Sequence, residues 1–217
     1  MKKEIYNGKT NKFKKKYVLS DNILYLVLMS TVPIFIVQII GVLESILFSN
    51  YQNDFTDVFI IWTTMIIGLC LIPYYVLKKI YSPSLIELGI KKISRKQIII
   101  FSMLLAILYI YLLINEKNIY ILLSISLQTL GVALTEEFWA RGILCYILGK
   151  ISNKKILIIL INSLIFTFIT HMNRPFIDNL LFRLPGSLCM VIVYMKQKNL
   201  NHSILVHFMY NMLGYFG

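Results

Sequence analysis

Long apolar blocks follow one another through most of the sequence, and they leave the chain few ways to fold. About 20 residues of α-helix are enough to cross the hydrocarbon core of a bilayer. Inside that core every backbone polar group must be satisfied within the protein, which favours helices. Because 58% of the residues are hydrophobic and the mean hydropathy is +0.72, we predict a helical membrane protein rather than a soluble domain.

We predict an all-α, polytopic membrane protein with about seven transmembrane helices, within limits of six and eight. A basic tail at 1–20 precedes a single transmembrane domain at 21–217. The predicted helices cover 22–48, 58–77, 98–114, 119–149, 156–171, 180–195 and 203–217. The fourth is too long for a simple span. It is either one long tilted helix that protrudes from the membrane or two helices with a break near Gly131, which would give an eighth span.

The basic residues are distributed unevenly between the loops. The tail at 1–20 and the segments 78–97, 150–155 and 196–202 together hold eighteen of the 22 Lys and Arg. The positive-inside rule therefore predicts a cytoplasmic N-terminus in a cell membrane, with membrane lipids as partners. Nucleic acid is not a predicted partner, because no basic patch is interleaved with aromatic residues. The composition, rich in Lys, Ile and Asn, is typical of an AT-rich bacterium.

Three ionisable residues lie within an otherwise apolar block: Glu136, Glu137 and Arg141. A charge at the centre of a spanning helix costs about 2.5–3.5 kcal/mol on insertion scales, so such residues indicate a functional site by default. Glu137 and Arg141 are four apart and can pair on one helical face. Glu136 is rotated by about 100° from Glu137 and has no local partner, so we predict that it carries the chemistry. The alternative is an ion cluster that only holds helices together.

Two histidines and an asparagine lie in later apolar segments. His207 and Asn211 are four apart and therefore share a helical face. If 119–149 and 156–171 form a hairpin, Glu136 and His171 lie about 21 and 24 Å from its turn, at a similar depth. His207 is close to its own inner loop and can join them only if the hairpin protrudes inward. This places the predicted site nearer the cytoplasmic side.

A carboxylate with two histidines suits peptide hydrolysis. The carboxylate can take a proton from water and return it to the leaving amine. The two imidazoles either hold zinc in an open site or, without a metal, orient the water or donate to the oxyanion. The amide of Asn211 is a candidate donor to that oxyanion or a group that orients His207.

The order of these motifs resembles the CPBP family, the CAAX-prenyl-protease-like and bacteriocin-processing intramembrane proteases also called Abi. The resemblance covers about 119–217 and rests on Glu-Glu-x-x-x-Arg, a histidine after an aromatic-rich helix, and His-x-x-x-Asn. The second motif departs from the family pattern. The family prefers Phe four residues before the histidine, where this chain has Thr167 between Phe166 and Phe168.

The resemblance implies an intramembrane (metallo)endopeptidase that acts on a peptide or membrane-protein substrate. It also implies a role in bacteriocin processing, self-immunity or peptide-signal maturation. Glu136 would activate water, His171 would assist or ligate metal, and His207 and Asn211 would stabilise the transition state or ligate. The implied catalytic set is Glu136, Glu137, Arg141, His171, His207 and Asn211, with His171, His207 and Glu136 as zinc ligands if a metal is used.

Two other functions are open to a chain of this kind. The first is a non-catalytic membrane immunity or scaffold protein that keeps the motifs as structure. The second, a proton-coupled transporter, is weaker because the sequence shows no repeated halves with interrupted helices. Arg183 is expected to pair with Asp178 or Glu44 and is assigned no catalytic part.

Overall fold

Seven continuous helices make up almost all of the part of the chain that the structure describes. This computed structural model describes the backbone of 3–51, 53–115 and 118–216 and the side chains of 19–51, 53–114 and 118–215. No strand occurs among those residues, and the predicted all-α fold is confirmed. The predicted basic tail at 1–20 lies almost wholly outside the described side chains. The helices are α1 Lys3–Leu47, α2 Asp54–Tyr81, α3 Arg95–Asn115, α4 Ile119–Ile151, α5 Lys155–Thr170, α6 Phe176–Gln197 and α7 Leu200–Phe216.

The arrangement of the helices is that of a protein solvated by lipid. Among the described residues, five helices (α1, α2, α3, α4 and α6) are long and apolar enough to cross a membrane, and α5 is apolar but shorter. The least apolar of these five, α4, is the most buried, whereas the most apolar, α3, is the least buried. Polar side chains avoid hydrocarbon by facing other helices, so α4 forms the centre and packs against all six others.

Helix α4 has no break, so the structure has the single long helix of the two predicted alternatives. At 33 residues it is about 50 Å long. Gly131 serves close packing instead of a turn, because a Cβ at this position would lie 2.6 Å from Nε1 of Trp62. That indole N–H of α2 donates to the carbonyl of Leu127 at 2.9 Å. A π-helical segment, Phe138–Leu144, widens α4 further along.

A proline in α1 creates a second contact between helices. Pro33 has no backbone N–H, so it cannot bond to the carbonyl of Met29 four residues earlier. The indole N–H of Trp139 in α4 donates to that carbonyl at 2.8 Å. Trp139 is fully buried, and its polar atom therefore needs this partner.

The connection between α2 and α3 closes one end of the bundle. The backbone N–H of Leu200, at the start of α7, donates to the carbonyl of Gly89 at 2.9 Å. A Cβ at Gly142 of α4 would lie 3.2 Å from the carbonyl oxygen of Leu88. The segments after α2, after α4 and before α7 thus lie at the same end of the molecule. Together with the adjoining helix ends (78–97, 150–155 and 196–202) they hold eleven of the 22 basic residues.

Candidate active site

A buried ion pair on α4 forms the base of the site. Nε of Arg141 lies 3.2 Å from Oε2 of Glu137, and both side chains are fully buried. The π-helical segment begins directly after Glu137 and carries Arg141. Nη2 of Arg141 donates to the carbonyl and hydroxyl oxygens of Ser187 in α6, at 3.4 and 3.3 Å. The pair therefore fixes α4 against α6.

The imidazole of His207 lies between the two glutamates. Its Nδ1 is 3.0 Å from Oε1 of Glu137, and its Nε2 is 3.6 Å from Oε2 of Glu136. A carboxylate held ionised by Arg141 can only accept a hydrogen bond, so Nδ1 donates to Glu137. In the neutral ring the lone pair is then on Nε2 and faces Glu136. This arrangement sets both the tautomer and the direction of the ring.

Glu136 is the carboxylate that is left available. Glu137 is 0% exposed, whereas Glu136 keeps 8% exposure. The distance of 3.6 Å from His207 exceeds that of a direct hydrogen bond. At that separation one water molecule can contact both groups. Glu136 and Nε2 of His207 together can therefore hold and polarise a water.

His171 joins the cluster at its edge, through an aromatic ring. It follows the last residue of α5 and packs edge-on against Phe166, with the ring centres 6.0 Å apart. The same Phe166 ring meets His207 at 5.8 Å and lies under the guanidinium of Arg141 at 4.2 Å. Phe166, which precedes the Thr167 at which the family pattern departs, thus makes the aromatic contacts with His171, His207 and Arg141. Among the described residues no hydrogen bond joins the His171 side chain to Glu136 or His207.

Asn211 lies one helical turn beyond His207 on α7 and is half-buried. Its side chain makes no hydrogen bond within the described part of the chain, so its amide is available to a ligand. The structure thus brings Glu136, Glu137, Arg141 and His207 into direct contact, with His171 and Asn211 at the edge of the cluster.

Sequence reasoning overlooked several polar residues around this cluster. Two of them, Asn162 and Ser163, lie on α5 and are fully buried, as is Thr167 of the second motif. The amide of Asn162 donates to the carbonyl of Ala140 at 2.7 Å, within the π-helical segment of α4. The signal was present, since three polar positions within six residues of an apolar helix indicate a face turned away from lipid.

The placed residues do not complete a zinc site. A catalytic zinc normally has three protein ligands, and Nε2 of His207 and Oε2 of Glu136 are two suitable donors. No group of three or more His, Cys, Asp or Glu in the described part of the chain is arranged to hold a metal, and His171 does not supply the third ligand. Zinc binding stays a prediction, and no step proposed below depends on it.

Comparison with known proteins supports the resemblance to a family of membrane proteases. Residues 119–213 match the family model described as Type II CAAX prenyl endopeptidase Rce1-like. This is the part of the chain on which the family resemblance rests, and the resemblance is confirmed. No curated protein and no solved structure matches the chain. The matched family is a family of membrane proteases, which supports a peptidase activity in the membrane.

Proposed function

We infer that this chain, whose residues 119–213 belong to the Rce1-like CAAX endopeptidase family, is an intramembrane endopeptidase that hydrolyses a bond in a peptide or membrane-protein substrate. One observation carries the proposal: the imidazole that Glu137 orients at 3.0 Å turns its other nitrogen toward a second carboxylate, Glu136, at 3.6 Å. A buried ion pair that served only to hold helices together would not need that second carboxylate.

The proposed reaction uses Glu136 as general base and then as general acid. Its carboxylate takes a proton from a water molecule, and the resulting hydroxide attacks the carbonyl carbon of the scissile bond. The tetrahedral intermediate then collapses and the C–N bond breaks. The proton held on Glu136 passes to the leaving amine, so that one water is consumed for each bond cleaved.

The neighbouring residues position this chemistry. His207 holds the water in line through Nε2 while Glu137 fixes its ring, and Arg141 keeps Glu137 ionised. The Asn211 amide is the proposed donor to the oxyanion, a kind of contact that typically contributes a factor of about 10²–10³ to kcat. His171 assists from the edge of the site. Zinc would need a third ligand besides His207 and Glu136, and it would then supply Lewis-acid polarisation of the carbonyl.

The substrate class is proposed on the family resemblance. Bacteriocin maturation, self-immunity and peptide-signal processing are the proposed settings. The proposed host is an AT-rich bacterium, because the sequence is rich in Lys, Ile and Asn. Cleavage would take place toward the end of the bundle that holds the basic loops, because Glu137 contacts His207 only seven residues after the start of α7.

A cleavage assay tests the proposal. Full-length protein in lipid nanodiscs is incubated with a complex peptide library, and new termini are identified by mass spectrometry. Glu136→Gln is expected to lower the cleavage rate about 10²–10⁴-fold. Glu87→Gln is the matched control, because Glu87 lies in the loop after α2 and accepts hydrogen bonds from Ser84 that a glutamine can also accept.

Three outcomes are informative. Cleavage by the wild type and the control, with loss in the folded Glu136→Gln variant, supports the enzyme. Equal cleavage by all three shows that Glu136 is not the base. Absence of any cleavage by the wild type contradicts the enzyme and favours a non-catalytic immunity or scaffold protein. Elemental analysis of the same preparations for zinc, with His207→Gln as comparison, tests the metal.

A further inference from the structure

The loop between α2 and α3, residues 82–94, exposes apolar side chains where a loop in water would expose polar ones. Four large apolar residues of the loop are exposed: Leu85, Ile86, Ile90 and Ile93. Ile86 is the most open of them, at 67% exposure. A concentration of exposed apolar side chains in one place marks a contact with a membrane, a ligand or another protein. The loop therefore needs a partner that accepts hydrocarbon.

The polar backbone groups of this loop are largely paired within the protein. Five of its carbonyl groups accept hydrogen bonds, those of Ser84, Leu85, Ile86, Gly89 and Lys91. The carbonyl of Lys91 accepts from the side-chain amide of Asn201 in α7, at 2.9 Å. The backbone N–H and the hydroxyl of Ser84 both donate to the carboxylate of Glu87, at 2.8 Å. A loop that leaves water for the membrane must satisfy its backbone in this way, so the loop is suited to an apolar surrounding.

The depth of the loop follows from its contacts with the bundle. Leu88 is fully buried, and its carbonyl oxygen would lie 3.2 Å from a Cβ at Gly142 of α4. Gly142 comes nine residues before the end of α4 at Ile151, which is about two and a half turns or 13 Å along the helix. Gly89 makes the turn with a φ of +91°, and a Cβ there would lie 2.7 Å from the ring of Tyr194 in α6. The middle of the loop thus lies beside the bundle instead of beyond the end of α4.

Basic residues flank the exposed apolar side chains. The segment 78–97 holds six basic residues and one acidic residue, Glu87. Four exposed basic residues lie at the end of the loop and in the first turn of α3: Lys91, Lys92, Arg95 and Lys96. Apolar side chains next to Lys and Arg fit a partner that offers hydrocarbon beside negative charge. An anionic phospholipid offers both, in its acyl chains and its phosphate group.

We propose that the 82–94 loop is a docking surface for anionic phospholipids. Its apolar side chains lie among the acyl chains, and the four basic residues bind the phosphate groups. The loop is bonded to the start of α7 through Leu200 and packs against α4 at Gly142, directly after Arg141. The lipid contact is therefore next to the two helices that carry the candidate site. The proposal does not depend on peptidase activity and is tested without a substrate.

The first test measures the depth of the loop in nanodiscs of equal parts phosphatidylglycerol and phosphatidylcholine. A nitroxide is attached to Ile86→Cys in the full-length protein without native cysteines. Its collisions with oxygen, which concentrates in hydrocarbon, are compared with its collisions with a water-soluble nickel complex. The label is expected to meet oxygen more than nickel. Asn153→Cys is the matched control, an exposed position between α4 and α5 at the same end of the bundle, and is expected to show the reverse.

Two results of this measurement would overturn the proposal. Preferential collision with nickel at Ile86→Cys would mean that the loop lies in water. Protection of this label from both reagents would mean that protein covers the loop, either another segment of this chain or a second copy.

The second test measures the preference for the anionic headgroup. A fluorophore on Ile86→Cys is quenched by brominated phosphatidylglycerol or, at the same mole fraction, by brominated phosphatidylcholine. Phosphatidylglycerol is expected to quench more strongly. Lys91→Gln with Lys92→Gln is expected to lower this preference about twofold or more, because the phosphate loses its partners.

The matched control for this pair is Lys154→Gln with Lys155→Gln, two adjacent and equally exposed lysines at the same end of the bundle. This double variant is expected to keep the preference for phosphatidylglycerol. Equal quenching by the two lipids before any lysine is replaced would overturn the proposal. An equal loss of preference in both double variants would overturn it as well, because the attraction would then come from the charge of the whole surface and not from the loop.

Discussion

Glu136 and Glu137 are adjacent in sequence but have different surroundings. Glu137 lies 3.2 Å from Arg141 and 3.0 Å from His207 and is fully buried. Glu136 lies 3.6 Å from His207 and keeps slight exposure. Glu137 therefore orients the imidazole, whereas the carboxylate of Glu136 is available for proton transfer.

This difference predicts that the two substitutions change the stability of the protein to very different extents. Glu137→Gln leaves the guanidinium of Arg141 buried without its counter-charge, and loss of one partner of a buried pair costs about 3–5 kcal/mol. In a domain of this size the expected fall in Tm is roughly 10 °C. Glu136→Gln is the control and should shift Tm by no more than about 2 °C. Thermal unfolding followed by tryptophan fluorescence measures both, and equal shifts would contradict the assignment.

The sequence predicted the pairs on one helix better than the contacts between helices. The spacing of Glu137 and Arg141 directly indicated their ion pair. His207 bonds to Glu137 through one nitrogen and faces Glu136 with the other. This arrangement depends on the rotation of α7 against α4, which no local pattern in the sequence encodes. The place of Phe166 under Arg141 depends in the same way on helix packing.

Helix α4 shows what the sequence reveals about a single element and what it does not. Hydropathy located it within a few residues, 119–149 against the observed Ile119–Ile151. Gly131, which suggested a break, is instead a contact point for Trp62. The sequence does not distinguish the two, because a glycine suits both a helix break and a close contact between helices. The π-helical segment Phe138–Leu144 left no recognisable signal.

Two glycines of α4 provide a matched test of this packing. A Cβ at Gly131 would lie 2.6 Å from Nε1 of Trp62, so Gly131→Ala is expected to destabilise the protein by about 1–3 kcal/mol through overpacking. A Cβ at Gly149 would meet nothing within 4 Å. Gly149→Ala should therefore be neutral or stabilise by about 0.5–1 kcal/mol, as alanine does within a helix. Chemical denaturation of both variants measures the difference, and equal stabilities would contradict the contact.

At the scale of the whole molecule, the helices are arranged by polarity as expected for a protein surrounded by lipid. The most apolar helix faces outward and the least apolar lies at the centre. Segments that hold half of the basic residues (78–97, 150–155 and 196–202) meet at one end, where the N–H of Leu200 bonds to the carbonyl of Gly89. The seven helices and the membrane class followed from hydropathy, but only five of the described helices are long and apolar enough to cross a membrane, against about seven predicted spans. The side of the membrane on which this end lies stays a prediction of the positive-inside rule.

Cysteine labelling in intact cells tests that orientation. In a variant without native cysteines, Asn50→Cys, between α1 and α2, is expected to react with a membrane-impermeant maleimide. Asn153→Cys, between α4 and α5, should react only after the membrane is opened. Both positions are exposed asparagines in short connections, so they are matched in access. The reverse pattern would place the N-terminus outside the cytoplasm.

The central claim is that Glu136 activates a water molecule which attacks the substrate directly. Single-turnover cleavage in water labelled with heavy oxygen, followed by mass spectrometry of product and protein, tests it. The account predicts one heavy oxygen in the new carboxyl terminus of the product and none in the peptide that contains Glu136. Label in Glu136 would show that this carboxylate attacks the substrate as a nucleophile, which contradicts the account.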